Sequence, residues 1–297
     1  MTLLGPLAAL ASSVTWAYAS TRYAQASRDV GSSRVNLARA LCVVPIYFVV
    51  TLLQRGGGIF DGVTPPKVAW LFASVLCSYA IADNLFFTAA RRLGISTALS
   101  IASTYPLWAA VVGAIFGGEP FGPLRAGGTL LCVGGVIALV RLGPMAKASA
   151  EPHRTDVLGV VLAFIASILW AGNSISVKHG AVDLSAWQAN AIRYAIALVL
   201  LCAQVGFART PPARKAPMAG WLWLVPAILT DALCGSMFYV YGLSHTDLAV
   251  GSTLSSLAPL ISVPVAIAVG EERWSAPRFL AVTTTTIGVV VLILSGA

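Results

Sequence analysis

Four ionisable residues lie inside strongly apolar stretches of the chain: Arg39, Asp83, Arg193 and Asp231. A charge placed at the centre of a membrane-embedded helix costs a few kcal/mol, so each is a candidate for function by default. A carboxylate in that setting can take up a proton or attract a substrate ammonium. It can equally neutralise an arginine, because one unpaired buried charge is far costlier than a pair. For Asp83 and Asp231 both readings stand. Asn36 and Asn190 each precede an arginine by three residues, one turn away on the same helical face. Both arginines sit about five to seven residues into their stretches, roughly 7–10 Å at ~1.5 Å per residue, which leaves snorkelling to the interface open. A structural or gating role is expected for Arg39 and Arg193, ahead of direct substrate contact.

Uncharged residues add a second layer. Ser12, Trp16, Ser20 and Tyr23 form one helical stripe at spacings of four, four and three, and Ser167, Trp170, Asn173 and Ser174 answer it further on. A stripe of aromatic and small polar groups suits a cavity wall, while small residues also let membrane helices pack closely. Tyr79, Asp83, Asn84 and Phe87 share a third stretch, and Asp231, Gly235, Phe238 and Tyr239 share its partner. Serine-rich runs containing Ser96, Ser100 and Ser103, then Ser252, Ser255 and Ser256, lead to Tyr105-Pro106 and Pro259. From these the expected substrate-binding set is Trp16, Ser20, Tyr79, Asp83, Asn84, Ser100, Tyr105, Trp170, Asn173, Asp231, Tyr239 and Ser256. Pro106 and Pro259 each remove a mid-helix donor and are expected hinges, with a fixed kink as the alternative.

The elements that must hold these residues are membrane helices. Of 297 residues, 58% are hydrophobic and only 10% charged, with mean hydropathy +0.83, more apolar surface than a soluble core of this size could hide. Stretches near the ~20 residues that a bilayer requires fall at 5–25, 34–53, 67–90, 96–117, 125–141, 157–178, 186–206, 219–243, 249–270 and 277–295. Continuous apolar runs such as Leu130 to Val140 argue against a β-barrel, which would alternate apolar and polar residues. Ala17-Tyr18-Ala19 before Ser20 imitates a signal-peptidase site, yet no basic residue precedes the run, so 5–25 is expected to stay as the first helix.

The chain is written twice. Asn36 and Arg39 recur as Asn190 and Arg193 at an offset of 154 (190 − 36 and 193 − 39), as does Trp16-Ala17 as Trp170-Ala171. Pro106 and Pro259, Glu119 and Glu272, and Gly135 and Gly288 repeat at 153. Asp83 and Asp231 differ by 148 and break the register. The expected organisation is a five-helix repeat over 1–142, a linker over 143–156 and a second repeat over 157–297. Five crossings per copy force the second copy to insert upside down, with a substrate site near mid-membrane between the halves.

The net charge of +8 does not point to nucleic acid, because nearly all the basic residues lie in short connections. The connections after odd-numbered spans hold twelve lysines and arginines (Arg28, Arg34, Arg91, Arg92, Arg141, Lys147, Arg154, Arg209, Arg214, Lys215, Arg273, Arg278). The opposite side holds four: Arg55, Lys67, Arg125 and Lys178. By that asymmetry both termini lie outside the cytoplasm. The five cysteines fall inside spans without close pairing and are expected to act as small packing residues. No metalloprotease helix, phosphate loop or nucleophile elbow is present, so no catalytic residue, metal ligand or cofactor is expected. An intramembrane enzyme and a purely structural protein are the least favoured classes.

The Trp-Ala pairs at 16–17 and 170–171, the serine-rich runs before Pro106 and Pro259, and the glutamates of Gly118-Glu119 and Glu271-Glu272 together resemble the drug/metabolite transporter superfamily, in particular its ten-helix EamA-type exporters. The resemblance spans essentially the whole chain. It implies an all-α membrane protein of ten transmembrane helices in two inverted five-helix repeats, around a cavity lined by spans one, three, four, six, eight and nine. It implies export of small metabolites such as amino acids, with hydrophobic or aromatic ones the first expectation and a multi-pass inner-membrane location. Cytoplasmic termini, common in ten-helix members, run opposite to the charge count. The membrane glutamate that four-helix relatives carry in their first helix for proton coupling is missing here, so uniport, exchange and proton antiport stay open. Proton-coupled efflux of cationic drugs, with Asp83 or Asp231 as ammonium partner, is the alternative. The expected partners are a small-molecule solute and the bilayer, with a monomer as the simplest state.

Overall fold

The computed structural model describes residues 3–93, 95–116, 122–141, 156–207, 219–258, 260 and 276–295. Helix α1 (Leu4–Val30) stops at Gly31, whose φ of +86° lets the chain reverse straight into α2 (Ser32–Arg55). The third span is continuous from Pro65 to Leu93 but not uniform. It runs as α3 (Pro65–Val75), a π turn over Leu76–Ala80, and α4 (Ala82–Leu93). The fourth is split into α5 (Ile95–Ala102) and α6 (Tyr105–Phe116), with the break at Ser103-Thr104 and Pro106 in the first turn of α6, where a missing N–H costs nothing. Helix α7 (Pro123–Arg141) closes the first half.

The second half repeats this plan. Helices α8 (Val157–Gly180) and α9 (Ala186–Phe207) are followed by short α10 (Ala219–Leu222) and α11 (Val225–Ala227). A longer π segment, Ile228–Gly235, leads into α12 (Ser236–Ser244), then come α13 (Leu248–Ser255) and α14 (Ala276–Ser295). Five described stretches are long and apolar enough to cross a bilayer: Ser32–Arg55, Pro65–Leu93, Val157–Gly180, Ala186–Phe207 and Val225–Ser244. No strand occurs among the described residues. The protein is an all-α membrane protein.

Its two halves run in opposite directions. The first turn of α1 lies against the α12–α13 connection, where a Cβ on Gly5 would come 2.8 Å from Thr246 Cγ2. The last turn of α8 reaches the same connection, with Lys178 Nζ donating to Thr246 O at 2.6 Å. The start of one helix and the end of its repeat mate therefore share a membrane face. Contacts follow the same two-fold pattern: α1 packs on the second π segment, α12 and α13, while α8 packs on α3, α4, α5 and α6. Likewise α2 pairs with α9, and α7 with α14.

The last pair approaches through two repeat-related glycines. A Cβ on Gly288 would fall 2.7 Å from the Cys132 amide nitrogen, and one on Gly135 would fall 2.9 Å from Ala281 O. Small residues at such crossings let backbones come close in lipid, where no water-driven burial holds helices together. Outward-facing positions are apolar, as at Leu53, Leu130 and Val199, and the polar side chains gather inside. All five cysteines are free. Cys132 packs as expected, but Cys42, Cys202 and Cys234 are exposed on the outer surface.

Candidate functional site

The two π turns set up the centre of the molecule. A π turn fits an extra residue into the helical ladder, so neighbouring carbonyls lose their usual donor. In lipid these must be satisfied by other groups. Around the first turn, Asn36 Nδ2 donates to Tyr79 O at 2.9 Å, while Asn84 Nδ2 and Gln204 Nε2 donate to Ala80 O at 2.8 and 2.9 Å. Around the second, Tyr47 Oη donates to Leu233 O at 2.6 Å and Tyr23 Oη to Ala227 O at 3.1 Å. Asn190 Nδ2 donates to Ser236 O at 3.0 Å, matching Asn36 in the other half.

On this scaffold Arg39 is buried, 4% exposed, and holds both carboxylates. Its Nη1 donates to Asp83 Oδ2 at 3.1 Å and to Asn36 Oδ1 at 2.9 Å, and its Nη2 donates to Asp231 Oδ2 at 3.0 Å. Trp170 Nε1 adds a donor to Asp83 Oδ1 at 3.3 Å. The rings of Tyr23 and Tyr79 lie 4.5 and 5.2 Å from the Arg39 guanidinium carbon. Arg193 is 1% exposed and, among the described residues, held by neutral groups: Ser74 Oγ at 2.9 Å, Asn190 Oδ1 at 3.0 Å and Asn173 Oδ1 at 3.2 Å. Of the two readings left open for the aspartates, neutralisation of an arginine takes an unequal form here, with both carboxylates on Arg39. Neither arginine snorkels.

Register explains the inequality. The carbonyls bonded by Asn36 and Asn190 differ by 157 positions (236 − 79), three more than the asparagines' own offset of 154, and the second π segment is three residues longer than the first (8 − 5). By that offset the first-half equivalent of Asp231 is Ser74 (231 − 157), the residue that Arg193 bonds. One arginine meets an acid where the other meets a hydroxyl.

A cavity of about 130 Å³ opens at this point, lined by both halves. That is on the order of the ~150 Å³ pocket that holds a benzene ring in an engineered protein core. Trp16 and Trp170, repeat mates, both line it and meet edge to face at 6.1 Å and 87°. Tyr79, Tyr105, Tyr239, Asn173 and Ser256 also line it, as do Asp83 and Asp231. Asn173 Nδ2 and Ser174 Oγ bond Tyr239 Oη at 2.9 and 2.8 Å.

Two of the twelve residues assigned to the substrate stand apart from the wall. Ser20 is buried but off the cavity wall, and Asn84 bonds the π-turn carbonyl of Ala80 and Ser33. The side chain of Ser100 lies outside the described residues, as do Pro259, Glu119 and Glu272. Missed by sequence reasoning were Ser78, Ser236 and Arg193 as wall residues, and the stack Tyr47–Tyr194–Tyr79, with centroids 5.4 and 5.1 Å apart. The signal for Arg193 was present in the broken register of the aspartates. Nothing in the sequence marked the π turns. No group of His, Cys, Asp and Glu among the described residues could hold a metal.

An inverted pair of helical halves around a buried, charged cavity defines a polytopic membrane transporter. The EamA-like transporter family model matches residues 3–141 and again residues 157–294, and the chain belongs to that family. A protein of Archaeoglobus fulgidus described as an uncharacterized transporter is 28% identical over 118 residues, 39% of this chain and 41% of that relative, so the alignment spans less than half of the curated protein's length. A solved crystal structure superposes on 100% of this chain and 98% of its own with a TM-score of 0.74 and 16% identity, a likeness of fold.

Proposed function

We propose that this transporter exports small organic metabolites by alternating access through the central cavity, with hydrophobic or aromatic amino acids as its solutes and the inner membrane as its place. The observation that carries the reading is the cavity itself. Both inverted halves build it, its walls are aromatic, and its charged groups are fixed by hydrogen bonds before any guest arrives. Aromatic faces would take an apolar side chain, and the fixed charges would take the polar end. The described wall residues include no nucleophile–base set, and binding and release without bond making is the chemistry they support.

The test is flux from proteoliposomes loaded with labelled phenylalanine, leucine or lysine. Saturable release of the first two, competed by excess unlabelled solute, is expected. Turnover of a lipid or peptide without flux of any solute would refute the carrier reading. Two carboxylates on one guanidinium leave a surplus negative charge, which supports a second reading, efflux of cations coupled to protons; release of a lipophilic cation driven by an imposed pH gradient, with no amino acid flux, would select it. The charge asymmetry of the loops supports both termini outside the cytoplasm, and an inactive C-terminal alkaline phosphatase fusion would overturn that.

A further inference from the structure

We propose that Arg193 is the carboxylate anchor of the cavity: the solute carries a carboxylate and sets it against this guanidinium. The inference rests on the carrier reading of the same cavity and narrows its substrate class to carboxylate-bearing solutes, α-amino acids among them.

The two arginines are an internal control for each other. They are repeat mates with the same asparagine three residues upstream, bonded at 2.9 and 3.0 Å. Arg39 has two carboxylates within 3.1 Å. Arg193, the more deeply buried, has none within 4.0 Å among the described residues, and its partners are a hydroxyl and two amides. A buried cation without an anion is among the costliest arrangements a protein interior can hold. A fold retains one at a cavity wall when a guest supplies the anion.

Hydrogen-bond capacity agrees. A guanidinium has five N–H donors, and the three bonds to Ser74, Asn190 and Asn173 use one on Nε, one on Nη1 and one on Nη2. One N–H on each terminal nitrogen is left, the number a carboxylate needs for a two-point contact. The Tyr79 ring lies 5.6 Å from the Arg193 guanidinium carbon and 5.2 Å from that of Arg39, which spaces the two cations and keeps Arg193 from borrowing the carboxylates of its twin.

The charges then divide the cavity. Arg39, Asp83 and Asp231 sum to a single negative charge, and Arg193 supplies a positive one. An α-amino acid carries the complementary pair, with its side chain left to Trp16, Trp170 and Tyr105.

The experiment compares L-phenylalanine, 3-phenylpropionate and L-phenylalaninamide as ligands of the purified protein, by thermal stabilisation and by competition binding. The two carboxylates are expected to bind at least about tenfold more tightly than the amide. Arg193→Gln should weaken phenylalanine binding about tenfold to a hundredfold, the loss of one charge-assisted contact, and leave the amide's affinity where it was. Arg193→Lys should restore part of the loss. Equal binding of acid and amide, binding of none of the three, or a folded Arg193→Gln protein that binds phenylalanine as before overturns the proposal. Should Arg193→Gln fail to fold, the comparison of acid and amide on the unmodified protein decides alone. Flux of the amide with exclusion of both acids would leave the carrier reading standing and this one refuted. Absence of all flux would remove the carrier reading while the binding comparison still decides the anchor.

Discussion

Two carboxylates on one buried guanidinium predict a non-additive response to their removal. Asp83→Asn or Asp231→Asn alone leaves Arg39 with one carboxylate and converts a trio of net charge −1 into a neutral pair. The amide oxygen still accepts the same N–H, and the repulsion between the two acids is gone. Each single substitution should therefore cost no more than an ordinary hydrogen bond, about 0.5–1.5 kcal/mol. The double substitution leaves Arg39 without an anion, beside an Arg193 that already has none among the described residues. Stranding a buried charge in this way costs about 3–5 kcal/mol, so the pair should show a coupling of about 2 kcal/mol beyond the sum of the singles. Adding Arg39→Gln to the double variant removes the stranded cation and should recover at least half of the loss. The assay is reversible unfolding in mixed micelles, followed by tryptophan fluorescence. Additivity within about 0.5 kcal/mol, or no recovery in the triple variant, would refute the reasoning.

Further predictions concern other parts of the bundle. Asn84→Ala should lower stability by about 1 kcal/mol, as the Ala80 carbonyl loses a donor, while phenylalanine affinity stays unchanged; a raised Kd with intact stability would return Asn84 to the cavity. Gly288→Leu places a side chain 2.7 Å from the Cys132 amide nitrogen, so the α7–α14 contact should open at a cost of about 1–3 kcal/mol or more, read as lost monodispersity on size exclusion. Outside the membrane, Asp156 caps α8 through the Gly159 N–H at 3.0 Å, and Arg92 Nε donates to it at 2.7 Å. The cap bond first, and Arg92 with it, holds its carboxyl below the usual carboxylate range. A depressed folded-state pKa contributes stability above the unfolded value of about 3.9 that is lost as pH falls through the folded value. Asp156→Ala should therefore lower Tm at pH 7 and flatten the acid limb of the Tm profile; an unchanged limb would dismiss the contact.

What the sequence made legible was whatever obeys a period. The offset of 154 gave the duplication, and apolar length gave the helices, because both are written in residue type and spacing. Most of the cavity wall followed from stripes on those helices, as with Trp16, Trp170 and Tyr105. The π turns left no such mark, since Leu76–Ala80 and Ile228–Gly235 read like any other apolar segment. Asn84 shows the effect: a polar residue on a cavity-bearing helix reads as a wall residue, whereas in the structure it donates to the freed carbonyl of Ala80. The unequal partners of the arginines were hidden by the same cause, because the third and eighth spans align at 157 where the rest align at 153 or 154.

The edge-to-face meeting of Trp16 with Trp170 places the dyad that relates the halves close to the cavity centre. Were the charges paired alike in the two halves, a guest could lie head-first or tail-first with equal ease, and the vestibule would read the same from either leaflet. Ser74, standing where the other half has Asp231, removes that degeneracy. Under the proposed anchoring at Arg193, the polar head of a guest would point toward the same half of the molecule in every cycle, and the solute would cross the bilayer in one fixed orientation.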